Sequence, residues 1–239
     1  MPKFFCEEIQ NGRATVTGED AAHLIKVLRV RPGEELTLCD LRGIDYTGKV
    51  SHIEQGAVVV EILSSVPCAA EPKSRITLFM ALPKGDKMEL IVQKAVELGV
   101  HEIVPVLVKR CVSRPEAGAL EKKTARWQKI SAEAAKQSGR GMIPAVRPTC
   151  SFAEALNQME AFERRILFYE QATVPLGGLL KSPAKTAIFV GPEGGFEPEE
   201  VSLAKAAGVH ICTLGPRILR CETAPLAAIS ILLAAEEVL

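Results

Sequence analysis

The sequence lacks an excess of charge of either sign. Lys+Arg and Asp+Glu both stand at 29. No global field therefore draws the chain to nucleic acid or to a membrane surface, and any basic surface must be local. It also lacks a Cys-x-x-Cys pair. Its seven cysteines (6, 39, 68, 111, 150, 212 and 221) are scattered and odd in number, which disfavours a disulfide framework and a zinc site and suits a reducing compartment. No run of about 18 consecutive apolar residues occurs, and the N-terminus MPKFFCEEIQNG has no apolar signal core. The expectation is a cytoplasmic protein with no membrane partner and no metal. Internal repeats and low-complexity tracts are absent. So are the Gly-Lys-Ser/Thr of a P-loop and the Gly-x-Gly-x-x-Gly of a dinucleotide site.

What remains is a globular composition. The 239 residues are 47% hydrophobic and 24% charged, enough for one large domain or two modest ones. Residues 1–68 read as short strands at Lys3–Cys6, Arg13–Thr17, Glu35–Asp40, Ile44–Ile53 and Ala57–Leu63. Asn11-Gly12, Pro32-Gly33, Arg42-Gly43 and Gln55-Gly56 punctuate them as in a small barrel, with one helix over Asp20–Leu28. Val66–Ser74, with two prolines, reads as a linker.

Beyond it strands and helices alternate. Ile76–Leu82, Ile103–Val108, Arg165–Tyr169, Thr186–Val190 and Ile211–Leu214 are apolar strands of a mostly parallel sheet. A helix capped by Asp86 and Glu89 carries Met88, Ile91, Val92, Ala95 and Leu98 on one face and ends at Gly99. Further helices cover Ala119–Ser138 and Pro198–Ala207, the latter with Glu199 and Glu200 complementing its dipole. The last, Thr223–Leu239, is apolar on nearly every side until Glu236 and Glu237, which points to a deep core or a subunit interface.

Two glycine loops follow predicted strands. Gly191-Pro192-Glu193-Gly194-Gly195-Phe196 places one carboxylate among three glycines. Glycines let a ligand approach the backbone, but Glu193 would repel a phosphate, so a cationic or neutral ligand fits better; an ordinary tight turn explains such a loop taken alone. The second, LGPRILRCETA at Leu214–Ala224, crowds Arg217, Arg220 and Glu222 around Ile218-Leu219. In α/β sheets, ligands bind outside the carboxyl ends of strands, and two such loops can share that edge. LPKGDK at Leu82–Lys87 ends another strand, where Lys84 and Lys87 either meet a polyanion or solvate a helix start. Basic residues gather at His23, Lys26, Arg29 and Arg31. They gather again over 119–141, where Lys122, Lys123, Arg126, Lys129, Lys136 and Arg140 oppose Glu121 and Glu133. Such stripes can hold phosphates, and many solvated helices show them too.

Taken together, ALPKGDKMELIVQKAVELGV (81–100), EAAKQSGR (133–140), FVGPEGGF (189–196) and LGPRILRCETA (214–224) resemble the RsmE family of bacterial ribosomal RNA methyltransferases. The resemblance spans essentially the whole chain. It implies an α/β fold of the SPOUT class, with an N-terminal PUA-like β-barrel at 1–68 and a trefoil-knotted methyltransferase domain at 69–239. It further implies S-adenosylmethionine as cofactor, 16S rRNA of the small ribosomal subunit as substrate, methylation at N3 of one uridine, and a homodimer. Gly191, Pro192, Glu193, Gly194, Gly195, Leu214, Gly215, Ile218 and Leu219 would form the cofactor pocket. Arg220, Glu222 and Glu193 would serve catalysis, and His23, Lys26, Arg29, Arg31, Lys84, Lys122, Arg126 and Arg140 would contact RNA. Cys221 departs from the family's RILRTETA, and Lys136 stands where an acidic residue is usual. Two other readings remain open: a catalytically silent RNA-binding module, and a ribose 2′-O methyltransferase acting on another RNA.

Overall fold

A computed structural model describes residues 3–6, 8–180 and 184–237. The chain divides into two compact units, Met1–Glu71 with Ala135–Ile143 and Pro72–Ala134 with Pro144–Leu239.

The first unit runs β1 (Lys3–Phe5), β2 (Ile9–Gln10), β3 (Arg13–Val16), α1 (Gly18–Ala22), a π-helical turn (His23–Leu28), β4 (Glu35–Cys39), β5 (Ile44–Glu54) and β6 (Ala57–Pro67). Its strands form one sheet in the order β1-β4-β5-β6-β3-β2, antiparallel apart from β1 against β4. Period-two alternation fixes which face is inside: Ala14, Val16, Leu36, Leu38, Val58 and Val60 are buried together. The turns at Asn11-Gly12 and Gln55-Gly56 both hold two successive residues at positive φ. That backbone matches the right-handed twist of the strands they join. The expected linker is more tightly held than its prolines suggested. Val66 and Pro67 complete β6, Cys68 is buried, and Glu71 accepts hydrogen bonds from Arg140 and from the amides of Gly141 and Met142.

In the second unit come β7 (Arg75–Ala81), α2 (Lys87–Leu98), β8 (Glu102–Leu107), α3 (Ala117–Gln137, which passes into the first unit at Ala135), β9 (Ala145–Val146), β10 (Cys150–Ser151), α4 (Phe152–Met159), β11 (Arg164–Phe168), a 3-10 turn (Leu176–Leu179), β12 (Lys185–Val190), α5 (Pro198–Ala206), β13 (His210–Cys212) and α6 (Ala224–Glu237). Every strand pair is parallel. The sheet order is β10-β8-β7-β12-β11-β13, with β9 also on β8. The continuous apolar runs at Ile76–Ala81 and Thr186–Val190 are buried along their whole length, as strands covered on both faces must be.

Several local expectations change. Asp86 stands at the N-cap of α2 without a side-chain cap, and the Glu89 side chain turns to Arg126 instead of back to the helix start. On that helix Val96 rather than Leu98 completes the buried face, and Leu98 points outward. The sequence reading had no element between 138 and 165, yet α4 forms there behind a reciprocal cap between Ser151 and Glu154; the Ser-x-x-Glu spacing was its legible signal. Along α6, Ala228, Ile229, Leu232 and Leu233 are buried, while Ser230, Ile231 and Ala234 are exposed. Val238 and Leu239, the end of the predicted helix, lie outside the described residues.

Candidate active site

β7, β12, β11 and β13 are consecutive neighbours in a parallel sheet, so their carboxyl ends open on one edge. The chain runs from β7 outward to β8 and β10, then crosses to build β11, β12 and β13 on the other side of β7. The edge beside β7 and β12 is thus the place where strand order reverses, and crevices at such points take ligands. A cavity of about 920 Å3 lies there, within the usual range for small-molecule sites. Its wall comes from the segments that follow β11, β12 and β13, together with Lys87 from the start of α2.

The glycine loop after β12 is held from three sides. Gly195 donates to the Pro192 carbonyl at 2.9 Å, closing a tight turn. Arg110 donates to the Gly194 carbonyl at 2.7 Å and binds both oxygens of Glu197 at 3.0 and 3.2 Å. Glu197 and Glu200 then cap α5 reciprocally, with Glu200 buried and also accepting the Lys109 amide at 2.8 Å. Sequence reading had given Glu200 only the dipole role. Side chains would be crowded or strained here. Gly195 has φ +67, and a Cβ on it would lie 3.1 Å from both Glu170 carboxylate oxygens. On Gly191 a Cβ would lie 3.1 Å from the Phe196 ring and 3.3 Å from the Gly195 backbone.

Beside this loop stands a charged cluster. The Lys87 ammonium lies 2.9 Å from Glu193 and 3.3 Å from Glu222, and 3.8 Å from the Cys221 sulfur. The Cys221 thiol donates to Glu222 at 3.2 Å, and Lys84 gives its main-chain N–H to both Glu193 oxygens. Partial burial would raise the Glu193 pKa, but the Lys87 ammonium and nearby amides outweigh it and hold the carboxyl below its usual range. Glu222 is lowered by its own amide, then by Cys221 and Lys87. Lys87 is raised, chiefly by Glu193. Burial, then Glu222, pushes the Cys221 thiol up to about 12. At neutral pH the cluster is therefore one ammonium against two carboxylates, with a neutral thiol beside them. Among the described residues no group of three or more His, Cys, Asp or Glu side chains is placed to hold a metal ion.

A family model described as an RNA methyltransferase domain matches residues 70–233, and one described as an RNA methyltransferase PUA domain matches 16–63. The ribosomal RNA small subunit methyltransferase E of Bacillus subtilis is 34% identical over 90% of this chain and 88% of its own. That of Aquifex aeolicus is 32% identical over 98% and 99%. The chain belongs to the ribosomal RNA small subunit methyltransferase E family. A crystal structure of the Neisseria gonorrhoeae member bound to S-adenosylmethionine superposes with a TM-score of 0.85, at 37% identity over 99% of this chain and 98% of that one. The expected architecture, an N-terminal PUA domain followed by a SPOUT-type α/β methyltransferase domain, is the one found.

All nine residues expected to form the family's cofactor pocket line the cavity, as does Arg220. Glu222 does not line it and is linked to it through Lys87. His23, Lys26, Arg29 and Arg31 are exposed on the first unit, and Lys84 and Lys122 on the second. Arg126 is exposed but paired with Glu89 at 2.8 Å. Arg140 is the correction: it is 2% exposed and bound to Glu71 through two nitrogens at 2.9 and 2.8 Å. Burial and a carboxylate partner remove it from any phosphate-binding surface. Lys136, though exposed, pairs with Asp20 at 2.9 Å. The sequence reading missed Lys87, Tyr169, Glu170 and Arg110 as parts of the site. From sequence Lys87 reads only as a polyanion contact or a solvated helix start, and nothing local marks the other three, since strand order brings them in.

Proposed function

We propose that this protein transfers the methyl group of S-adenosylmethionine to N3 of a uridine in 16S rRNA of the small ribosomal subunit, acting in the cytoplasm as a homodimer of knotted SPOUT domains. The observation that carries the reading is the convergence of the glycine loop, the Leu214–Leu219 loop and the Lys87–Glu193 pair on one cavity, with Glu222 joined to it through Lys87. The cavity suits the cofactor. Its size fits a nucleoside-amino acid conjugate, Gly191 and Gly195 leave backbone where a Cβ would intrude, and the cluster's excess carboxylate complements a cation. Gly191, Pro192, Glu193, Gly194, Gly195, Leu214, Gly215, Ile218 and Leu219 would hold it. When bound, it supplies a methyl already activated on sulfur.

The chain's own task is to handle a proton and a charge. Uracil N3 carries a proton that must leave as its electron pair is used, and negative charge then spreads to the two flanking carbonyl oxygens. Glu193 or Glu222 receives that proton, both being ionised at neutral pH. Arg220 lines the cavity, and among the described residues its guanidinium makes no hydrogen bond or ion pair. It is thus available to donate to the developing anion. N3 lies on the pairing edge, so the target uridine is unpaired or flipped out. His23, Lys26, Arg29 and Arg31 on the first unit, and Lys84, Lys122 and Arg126 on the second, supply phosphate contacts. The exposed face of α6, with Ile231 at 41% exposure, supports self-association. Light scattering should give twice the monomer mass of 25.8 kDa.

Transfer of labelled methyl to undermethylated 30S subunits, followed by nucleoside analysis, tests the activity. N3-methyluridine is the expected product. Label on a ribose 2′-oxygen would favour the ribose methyltransferase instead, and no transfer the silent RNA-binding module.

A further inference from the structure

Lys87 is the first residue of α2, a position where the helix dipole disfavours a cation. Its side chain is 35% exposed, yet it does not reach for solvent. It turns back to two carboxylates from different loops, Glu193 after β12 and Glu222 after β13. An ammonium already bound to two anions is a poor phosphate anchor, so RNA contact does not explain it. Helix capping does not explain it either, because a cation cannot accept from the orphan amides at a helix start.

The carboxylates explain it. Glu193 and Glu222 both reach one nitrogen, so without Lys87 two like charges would share a small, partly buried space. Under those conditions one member of a pair takes up a proton at much higher pH than an isolated carboxyl does. We propose that Lys87 is a positioning residue of methyl transfer: it holds Glu193 and Glu222 side by side and ionised, so that one can take the uridine N3 proton at neutral pH. This rests on the methyltransfer reading above. The other groups around the pair come from every neighbouring element. The Lys84 amide and the Cys221 thiol bond to it directly. Tyr169, Glu170, Arg217 and Arg220 line the same cavity. Arg110 and Glu197 compensate each other beyond the glycine loop. None of these besides Lys87 places a cationic side chain on both carboxylates.

The sign of the effect follows. Both carboxyls are lowered in the folded protein, so wild type keeps them ionised to more acid pH than free glutamate. Removing the ammonium should move at least one midpoint upward. Carboxyl carbon NMR of the glutamate-labelled, cofactor-free protein reads this without any reaction, with Glu193→Gln and Glu222→Gln giving the assignments. Lys87→Met should raise a midpoint, and Lys87→Arg should leave both near wild type. In single-turnover methylation with both substrates saturating, Lys87→Met should shift the acid limb to higher pH. Its rate at pH about 6 should fall at least about tenfold, with Lys87→Arg restoring most of it. Calorimetry with S-adenosylmethionine and thermal melts verify that each variant is folded; should Lys87→Met not fold, Lys87→Gln takes its place. Unmoved midpoints together with an unmoved acid limb would overturn the proposal and leave Lys87 as scaffolding. A wild-type protein that methylates no uridine N3 would remove the proposed function instead, and the substrate-free titration would still judge the lysine.

Discussion

Each unit of this molecule contains a knot of basic and acidic side chains, and the two differ in a way that separates scaffold from site. In the first unit Arg140 meets Glu71 in a two-point contact, and Lys3 binds Asp45 at 2.8 Å, Cys68 at 3.0 Å and the Gly139 carbonyl at 2.8 Å. The charges there balance one against one, and the partners are main-chain groups of the 139–142 turn as much as side chains. Gly141 is packed so closely that a Cβ would lie 2.6 Å from that of Cys68. The Lys87 cluster in the second unit has the same chemistry but the opposite bookkeeping of charge, with one cation, two anions and a cavity beside it. Sealed and balanced pairs hold a turn in place; an unbalanced and accessible one leaves charge for a ligand.

The largest expected effect breaks the second unit's site and leaves the first unit alone. Gly195→Val puts a branched side chain at a positive φ and against the Glu170 carboxylate, so S-adenosylmethionine binding should be lost. Calorimetry with undiminished affinity would refute the pocket. Arg140→Leu does the reverse. It takes the ion-pair partner from a partly buried carboxylate, leaving it only main-chain amides, and should lower the unfolding midpoint in denaturant without weakening the cofactor affinity of the folded protein. Lys87→Met, at a partly exposed pair, should lose stability at neutral pH as its carboxyl midpoint rises, but less than Arg140→Leu does. If the two variants were equally destabilised, the contrast between scaffold and site would fail.

That contrast also marks what a sequence can carry. Apolar runs such as Ile76–Leu82 and Thr186–Val190 announced buried parallel strands, because burial on both faces leaves a mark in every residue. The glycine loop was legible for a similar reason: the backbone needs are local, and Gly191 to Gly195 spell them out. Arg140 and Lys87 both read differently from sequence, one as an RNA contact and the other as either a polyanion contact or a solvated helix start. Their partners are 69 residues away for Arg140 and, for Lys87, on loops beyond β12 and β13. Only the sheet order, with β12 inserted between β7 and β11, brings those loops beside α2. A charge's role depends on what it faces, and nothing within a helical turn of either residue records that.

Arg220→Ala sharpens the site itself. The alternative role for Arg220 is to pin its loop by pairing with Glu222 or a backbone carbonyl, but Glu222 is engaged with Lys87 and Cys221, and among the described residues the Arg220 guanidinium donates to no carbonyl. A donor to the uracil carbonyls strengthens its interaction as N3 loses its proton. Losing such a donor costs about 2.7–4 kcal/mol, a hundredfold to a thousandfold in rate. Single-turnover methylation with both substrates saturating should show that drop with little change in cofactor affinity. A rate within a few-fold of wild type would make Arg220 scaffolding, as Arg140 is.

The smallest effect tests whether the balance of charge also sorts the cations proposed to contact RNA. Each phosphate contact adds about 0.7–0.9 to the slope of log affinity against log salt, because neutralising a phosphate releases bound counterions. Arg29 and Arg31 follow the π-helical turn on the first unit and, among the described residues, make no ion pair. Arg126 carries Glu89 at 2.8 Å, so a phosphate there must first displace a carboxylate and gains less. Arg29→Ala should therefore flatten the slope by about one contact's worth, Arg126→Ala by less, and Arg140→Leu not at all, with cofactor affinity nearly unchanged in the first two. Measuring RNA affinity at a series of salt concentrations gives all three slopes. Equal changes for Arg29 and Arg140 would mean that burial and pairing do not decide which cations meet RNA. An unaltered slope in both Arg29→Ala and Arg126→Ala would move the RNA path to other residues.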